Sequence, residues 1–145
     1  MGFDIPSKTA TIFNDGEARW STTTLSTIGL AVKNALLLPE KTSNKYLFIN
    51  SFTVSSNHVF RSLEKSTGTK WKVTKVDAEQ QKRAGMEKMA SADFSGGMTL
   101  IRYLNQVEGH GADFTTYEEG SNGLLSLPKE NLDDVIAGIV RGQAS

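Results

Sequence analysis

The run TATIFNDGEARWSTTTLSTIGLAVKNALLL, Thr9 to Leu38, constrains the fold more than any other stretch of the chain. Its hydrophobic period changes once, from two to 3.6, and the change divides it into a β part and an α part. Thr9–Asn14 is β-rich, with Ile12 and Phe13 as its large apolar residues. Asp15-Gly16 is a two-residue hairpin signal, because a type I′ turn needs positive φ at both central positions. Glu17–Ser21 then returns as a strand with Ala18 and Trp20 on one face. Thr22, Thr23 and Thr24 offer hydroxyls to the free N–H groups of a helix start. In the helix itself, Leu25, Ile28, Ala31, Val32, Ala35 and Leu36 predict one buried face. Gly29 costs this helix roughly 1 kcal/mol against alanine, which close approach to another backbone would offset. Pro39 ends the helix, since the residue before a proline is pushed out of the α region.

The remainder reads as alternating strand and helix, then helix alone. Met1–Lys8 is a lead-in without an element of its own. Lys45–Asn50 is apolar on both faces, as in a strand buried within a parallel sheet. A helix with Val59, Phe60 and Leu63 on its buried side follows, capped by Thr53–Ser56 and closed by Gly68. Lys70–Val76 alternates Trp71 and Val73 against Lys70, Lys72 and Thr74, a half-exposed strand. This makes a βαβ unit, with Lys45–Asn50 and Lys70–Val76 expected to run parallel through a right-handed crossover. Ala78–Ala92 is a charged helix with Met86 and Met89 as its apolar contacts, broken by Ser95-Gly96-Gly97. Met98–Val107 resumes with Leu100, Ile101, Leu104 and Val107 on one face, and Gly109–Gly123 reads as a long exposed loop. Pro128 is expected to open the last helix at its first position. That helix carries the stripe Leu132, Val135, Ile136, Ile139 and Val140, is capped by Gly142, and gives way to a fraying Gln143–Ser145. The predicted class is α/β: a partial domain with an N-terminal β-hairpin, one βαβ unit and a helical C-terminal half.

The chemistry in the sequence is mostly negative. The 145 residues have the length of one domain, and 16 basic side chains balance 16 acidic ones, so no net field steers the chain to nucleic acid or an anionic membrane. Without cysteine there are no disulfides, thiolate metal sites or cysteine nucleophiles, and a reducing cytoplasm is the expected location. The closest approach to a dinucleotide fingerprint, Gly109-His110-Gly111-Ala112-Asp113-Phe114, lacks its third glycine and follows no strand. His58 and His110 are too few for a typical metal cluster. His58 in a first helical turn reads as an ordinary surface residue, and His110 as a loop residue. Glu118-Glu119 and Asp133-Asp134 suggest acid–base pairs, but adjacent helical residues point apart, and Asp133-Asp134 lies where a helix dipole favours negative charge. Lys70, Lys72 and Lys75 around Trp71 read as a solvated sheet face rather than a nucleic-acid patch. Trp20, Phe52 and Trp71 are the aromatics most able to line a pocket, with core packing as the ordinary role of each.

Taken in order, FNDGEARWSTTTLSTIGLAV and KYLFINSFTVSSNHVFRSLEKSTGTKWKV resemble the C-terminal portion of NmrA-like, isoflavone reductase-like proteins, particularly the fungal branch. The resemblance runs from about Gly2 to Gly142 and rests on the ordered series of turn, threonine cap, Ile28-Gly29 helix, βαβ unit and closing amphipathic helix. It implies an atypical short-chain dehydrogenase/reductase in which a Rossmann lobe binds NAD(P)H and a smaller lobe helps form the substrate pocket. Residues 1–145 would then be the substrate-side portion, a fragment without the dinucleotide-binding lobe. The glycine-rich loop and catalytic lysine of the family match no residue here, so no catalytic or cofactor-binding position is assigned. No cofactor is expected on this chain alone. The resemblance implies an aromatic small-molecule substrate, with Phe3, Trp20 and Phe52 facing the pocket shared with the other lobe. The alternative is a non-catalytic NmrA-type redox sensor or regulatory interaction module; a third reading is a product without independent function. Without the other lobe an exposed sheet edge and apolar patch should make the chain prone to self-association.

Overall fold

The computed structural model describes residues 2–117 and 120–142. Strand β2 (Thr9–Phe13) lies at the centre of a three-stranded sheet. On one edge it pairs antiparallel with β1 (Phe3–Asp4), and on the other it runs parallel to β5 (Lys72–Val76), with Ala10 opposite Val73. Successive side chains of a strand point to opposite faces, and β2 uses both. Ala10 and Ile12 are buried with Leu63, Trp71 and Ile136, against helices α3 (Ser56–Thr67) and α6 (Leu132–Val140). Phe13 is buried on the other face with Ala78 and Tyr103, from α4 (Ala78–Ala90) and α5 (Ser95–Gln106). A second, two-stranded sheet pairs β3 (Arg19–Thr22) antiparallel with β4 (Phe52–Ser55), placing Trp20 opposite Val54 and Thr22 opposite Phe52.

The α/β class, an N-terminal hairpin and a helical C-terminal half are present, but the pairings differ from those read in the sequence. The hairpin is β1–β2, inside the stretch taken as a lead-in, rather than a pairing across Asp15-Gly16. Both edges of β2 are already occupied, so the Asp-Gly turn sends the chain to the other sheet instead. Gly16 is needed there for its space and its φ of +80: a Cβ would stand 2.5 Å from Ile12 Cγ2. Asn57 of α3 holds the turn, its N–H donating to the Gly16 carbonyl at 3.1 Å. The parallel partner of β5 is β2, not Lys45–Asn50, which forms no strand among the described residues and keeps only a bridge from Phe48 to Gly120. Phe48 is held by stacking on Tyr117 at 4.4 Å, and Tyr46 is exposed.

Smaller expectations also shift. α1 (Leu25–Leu37) is capped by Thr24, whose hydroxyl accepts from the Thr27 N–H, and Pro39 begins the short α2 (Pro39–Thr42). Of the apolar face predicted to be buried, Ala31 is buried and Ala35 half-buried, but Leu25, Ile28, Val32 and Leu36 are exposed and Thr27 turns inward in their place. Gly29 has no atom within 4 Å of its would-be Cβ, so it serves no close approach within the chain. The close approach is at Gly96, where a Cβ would stand 2.3 Å from the Gly85 carbonyl oxygen. Gly96 and Gly97 therefore belong to the first turn of α5, packed on α4, rather than to a break. Val73 is exposed on β5, although Trp71 is buried as expected. Gly109–Gly123 is not simply an exposed loop, since Ser121 is buried and Phe114 packs edge-on to Phe48. Pro128 precedes α6 by several residues instead of opening it. Glu118-Glu119 and Gln143–Ser145 lie outside the described residues.

Candidate functional site

Phe3, Trp20 and Phe52 come from three different strands and line one cavity. The pairing of β3 with β4 sets Trp20 and Phe52 two positions apart along the same small sheet. Phe3 of β1 and Val59 of α3 line it as well. The far wall is the α6 stripe, where Leu132, Val135, Ile136 and Ile139 face the aromatics. Leu25, at the start of α1, stands at its rim with Thr22, Thr23 and Thr24. At about 330 Å³ the cavity lies at the small end of the range of small-molecule pockets, roughly 300–1,000 Å³. Its walls are almost wholly apolar, with the threonine hydroxyls as the polar groups. Trp71, the other aromatic considered for a pocket, is elsewhere: it is part of the core, its Nε1 donating to Thr67 Oγ1 at 2.9 Å.

The sequence reading missed the group that fixes the threonine rim. Glu130 Oε2 accepts from Thr27 Oγ1 at 2.7 Å, from Thr24 Oγ1 at 3.0 Å, and from the Ser51 hydroxyl. Burial pushes the Glu130 carboxyl up, and the Ser51, Thr27 and Thr24 hydroxyls outweigh that and hold it below its ordinary value. The carboxylate sits at the capped N-terminus of α1, where the helix dipole favours negative charge. It thereby ties the start of α1 to the segment leading into α6 across 106 positions of sequence. No local pattern marks such a pairing; the surplus of hydroxyls in Thr22–Thr24 was its only trace.

A second cavity of about 440 Å³ is larger and more polar than the first, lined by Glu17, Arg19, Glu108, His110 and Asp113 among others. Three of its charged groups are already partnered. Arg19 and Asp113 pair at 3.2 Å, and Glu17 accepts from Asn57 Nδ2 at 2.7 Å. His110 is exposed, its ring 5.1 Å from that of Tyr103, and His58 is an exposed residue in the first turn of α3. Asp133 and Asp134 occupy the first turn of α6. Asp133 accepts from Lys65 and Ser62 of α3, and Lys65 first, then Ser62, holds its carboxyl low. It is a tie between helices rather than an acid–base group. Among the described residues no three histidine, aspartate or glutamate side chains gather as a metal site, and no helix is long and apolar enough to cross a membrane.

Among the described residues no strand-to-helix turn has the make-up of a dinucleotide site. Pyrophosphate binding at a strand-to-helix turn needs glycines for close backbone approach and free N–H groups at the helix start. Three short turns are of this kind, β4 to α3, β5 to α4 and β3 to α1, and none contains glycine; Thr24 caps the last through the Thr27 N–H. Ser55 caps the first through the His58 N–H, and the Asp77 carboxylate caps the second through the Gln80 N–H. The positive φ angles of Gly109 and Gly111 lie in a loop that follows α5, not a strand.

The chain is 51% identical over 142 residues to the oxidoreductase aprR of Aspergillus flavus, covering 98% of this chain and 48% of that protein. It is 28% identical over 145 residues to the oxidoreductase poxI of Penicillium oxalicum, covering 97% of this chain and 46% of that one. Among solved structures, an isoflavone reductase superposes with a TM-score of 0.68 at 19% identity, over 90% of this chain and 43% of the other. No protein-family model matches the chain. The chain thus spans about half the length of the curated relatives it matches. The resemblance to isoflavone reductase-like proteins, including their α/β fold, is borne out.

Proposed function

We propose that this isoflavone reductase-like chain supplies the substrate-side wall of an NAD(P)H-dependent oxidoreductase, and that its apolar cavity takes an uncharged aromatic compound. The convergence of Phe3, Trp20 and Phe52 on that cavity carries the reading. Aromatic walls offer stacked and edge-on contacts to a ring, and Thr22 offers a hydroxyl to a phenol or carbonyl, those of Thr23 and Thr24 being bonded to Ile49 and Glu130. The dinucleotide and the hydride chemistry belong, in this reading, to the part of the relatives' length that the chain does not span. NAD(P)H supplies a hydride when bound in such enzymes. The residues here orient the aromatic body and exclude water from it. The chain alone is then expected to bind NAD(P)H no tighter than about 10 μM, roughly −7 kcal/mol.

Fluorescence titration tests the aromatic site. A Trp71→Phe variant leaves Trp20, in the cavity wall, as the reporter. A hydroxylated two-ring aromatic should change its emission saturably, and Phe52→Ala should weaken binding about tenfold, or 1.4 kcal/mol. No saturable change up to millimolar ligand, or binding indifferent to both Phe3→Ala and Phe52→Ala, rejects the site. NADPH binding in the low micromolar range by calorimetry would reject the division of labour.

A further inference from the structure

The small sheet of β3 and β4 pairs its polar groups on one face and leaves them unpaired on the other. Successive side chains of a strand point to opposite faces, so Arg19 and Ser21 share one face of β3, and Trp20 and Thr22 the other. On the first face both groups are engaged. Arg19 pairs with Asp113 at 3.2 Å, and Ser21 Oγ stands 3.0 Å from Thr53 Oγ1 and accepts from the Phe114 N–H at 2.9 Å. On the second face Trp20 and Thr22, with their cross-strand neighbours Val54 and Phe52, line the aromatic cavity. Among the described residues neither the Trp20 Nε1–H nor the Thr22 hydroxyl has a hydrogen-bond partner.

Trp20 is the sharper case. It is only 3% exposed, yet its Nε1 is not sealed in: among the described residues the one fully enclosed side-chain atom without a partner is Arg102 Nε. The other tryptophan shows what a core indole does in this fold, since Trp71 Nε1 donates to Thr67 Oγ1 at 2.9 Å. Of the two larger cavities, Trp20 lines only the aromatic one. A donor held in an apolar wall loses most of its bonding to water and regains a bond from an acceptor that enters. The hydroxyl protons of Thr23 and Thr24 are already given to the Ile49 carbonyl and to Glu130. The indole and Thr22 are therefore the donors left in this wall.

We propose that Trp20 is a specificity-determining residue of the aromatic cavity: its Nε1–H donates to an oxygen of the bound aromatic compound and selects it over a hydrocarbon of the same shape. The inference rests on the aromatic site proposed above and adds the polar contact that chooses among its ligands. A site that offers a hydrogen bond discriminates against an analogue that cannot complete it. Thr22 lies two positions further along the same face, about 6.6 Å away along the strand, and so serves a different atom of the ligand.

The test uses two probes of like shape, α-tetralone, whose carbonyl oxygen can only accept, and α-methyltetralin, which has no oxygen. Nitrogen–proton correlation spectra read the two indole N–H signals, with Trp71→Phe assigning that of Trp20. α-Tetralone should bind about tenfold tighter, or 1.4 kcal/mol. It should also move the Trp20 Nε1–H signal downfield and slow its exchange with water. α-Methyltetralin carries the same aromatic ring and should do neither, so the comparison removes ring-current effects. In Trp20→Phe, which keeps an aromatic wall without the N–H, the two probes should bind alike, whereas Thr22→Val should keep the preference. The inference is overturned if both probes bind the unsubstituted chain alike, or if α-tetralone binds without the downfield shift. It is also overturned if the preference survives Trp20→Phe, or if it is lost in Thr22→Val and not in Trp20→Phe. In each of those cases the aromatic site stands, because the probes still bind. Should Trp20→Phe fail to fold, the spectra of the unsubstituted chain decide. If neither probe binds at millimolar concentration, the proposed function falls and this inference with it.

Discussion

Helices α1 and α6 carry nearly the same apolar pattern and meet opposite fates. In α6, Leu132, Val135, Ile136 and Val140 turn toward α3 and the aromatic cavity, and Ile136 is 6% exposed. In α1, the stripe of Leu25, Ile28, Val32 and Leu36 faces out, and a threonine and an alanine occupy the buried side. Periodicity shows that a face needs cover; it does not show that the cover lies in the same chain. The ties between helices reinforce the difference. α6 is joined to α3 by Asp133 accepting from Ser62 and Lys65, whereas α1 is held mainly at its N-terminus by Glu130 and near its C-terminus by Asn34.

The largest test of this contrast is deletion of one apolar side chain from each helix. Ile136→Ala removes a buried group from a packed cluster and should cost about 2–4 kcal/mol. Leu36→Ala removes an exposed one and should change stability by no more than about 0.5 kcal/mol. Urea denaturation of the two variants measures both. Comparable losses would mean that the α1 face is packed in solution and that the two helices do not differ.

A smaller effect should come from acid, through Glu130. Its carboxyl is pushed up by burial and held lower on balance by the Ser51, Thr27 and Thr24 hydroxyls. A carboxyl whose folded value is depressed contributes stability above its unfolded value, about 4.3 for glutamate. That contribution is lost as pH falls through the folded value. The tie at the start of α1 should therefore weaken below about pH 4.3. Glu130→Gln should remove much of it at neutral pH. Hydrogen exchange of α1 compared with α6 between pH 7 and pH 3 reads this. An unaltered pH profile in the glutamine variant would exclude Glu130 as the source.

What the sequence made legible was local. Thr24, Ser55 and Gly68 bound their helices as the capping pattern predicts, and the α6 stripe is core-facing. Pairing was not legible, because it depends on which edges are free. Asp15-Gly16 does make a turn, yet β1 and β5 occupy β2, so the hairpin expected there does not form. Lys45–Asn50 has the composition of a buried strand without a strand beside it, and instead packs Phe48 against Tyr117 and Phe114. Phe3, Trp20 and Phe52 were named from aromatic character and the family resemblance, and the fold brings them together in one cavity. The α6 wall of that cavity was read only as core, and Glu130 not at all, since its partners lie 79 to 106 positions away.

Gly29 gives the smallest effect and the finest discrimination. It lies at i+4 from Leu25 and i−3 from Val32, inside the exposed stripe, with no atom within 4 Å of a would-be Cβ. In the isolated chain Gly29→Ala should therefore stabilise α1 by about 0.5–1 kcal/mol, the ordinary difference between these residues within a helix. Gly96→Ala should do the reverse, because its Cβ would be driven into the Gly85 carbonyl oxygen, a backbone atom that cannot rotate away. Thermal melts of the two variants make the comparison, and a loss at Gly29 as large as that at Gly96 would show that the α1 stripe is covered in solution.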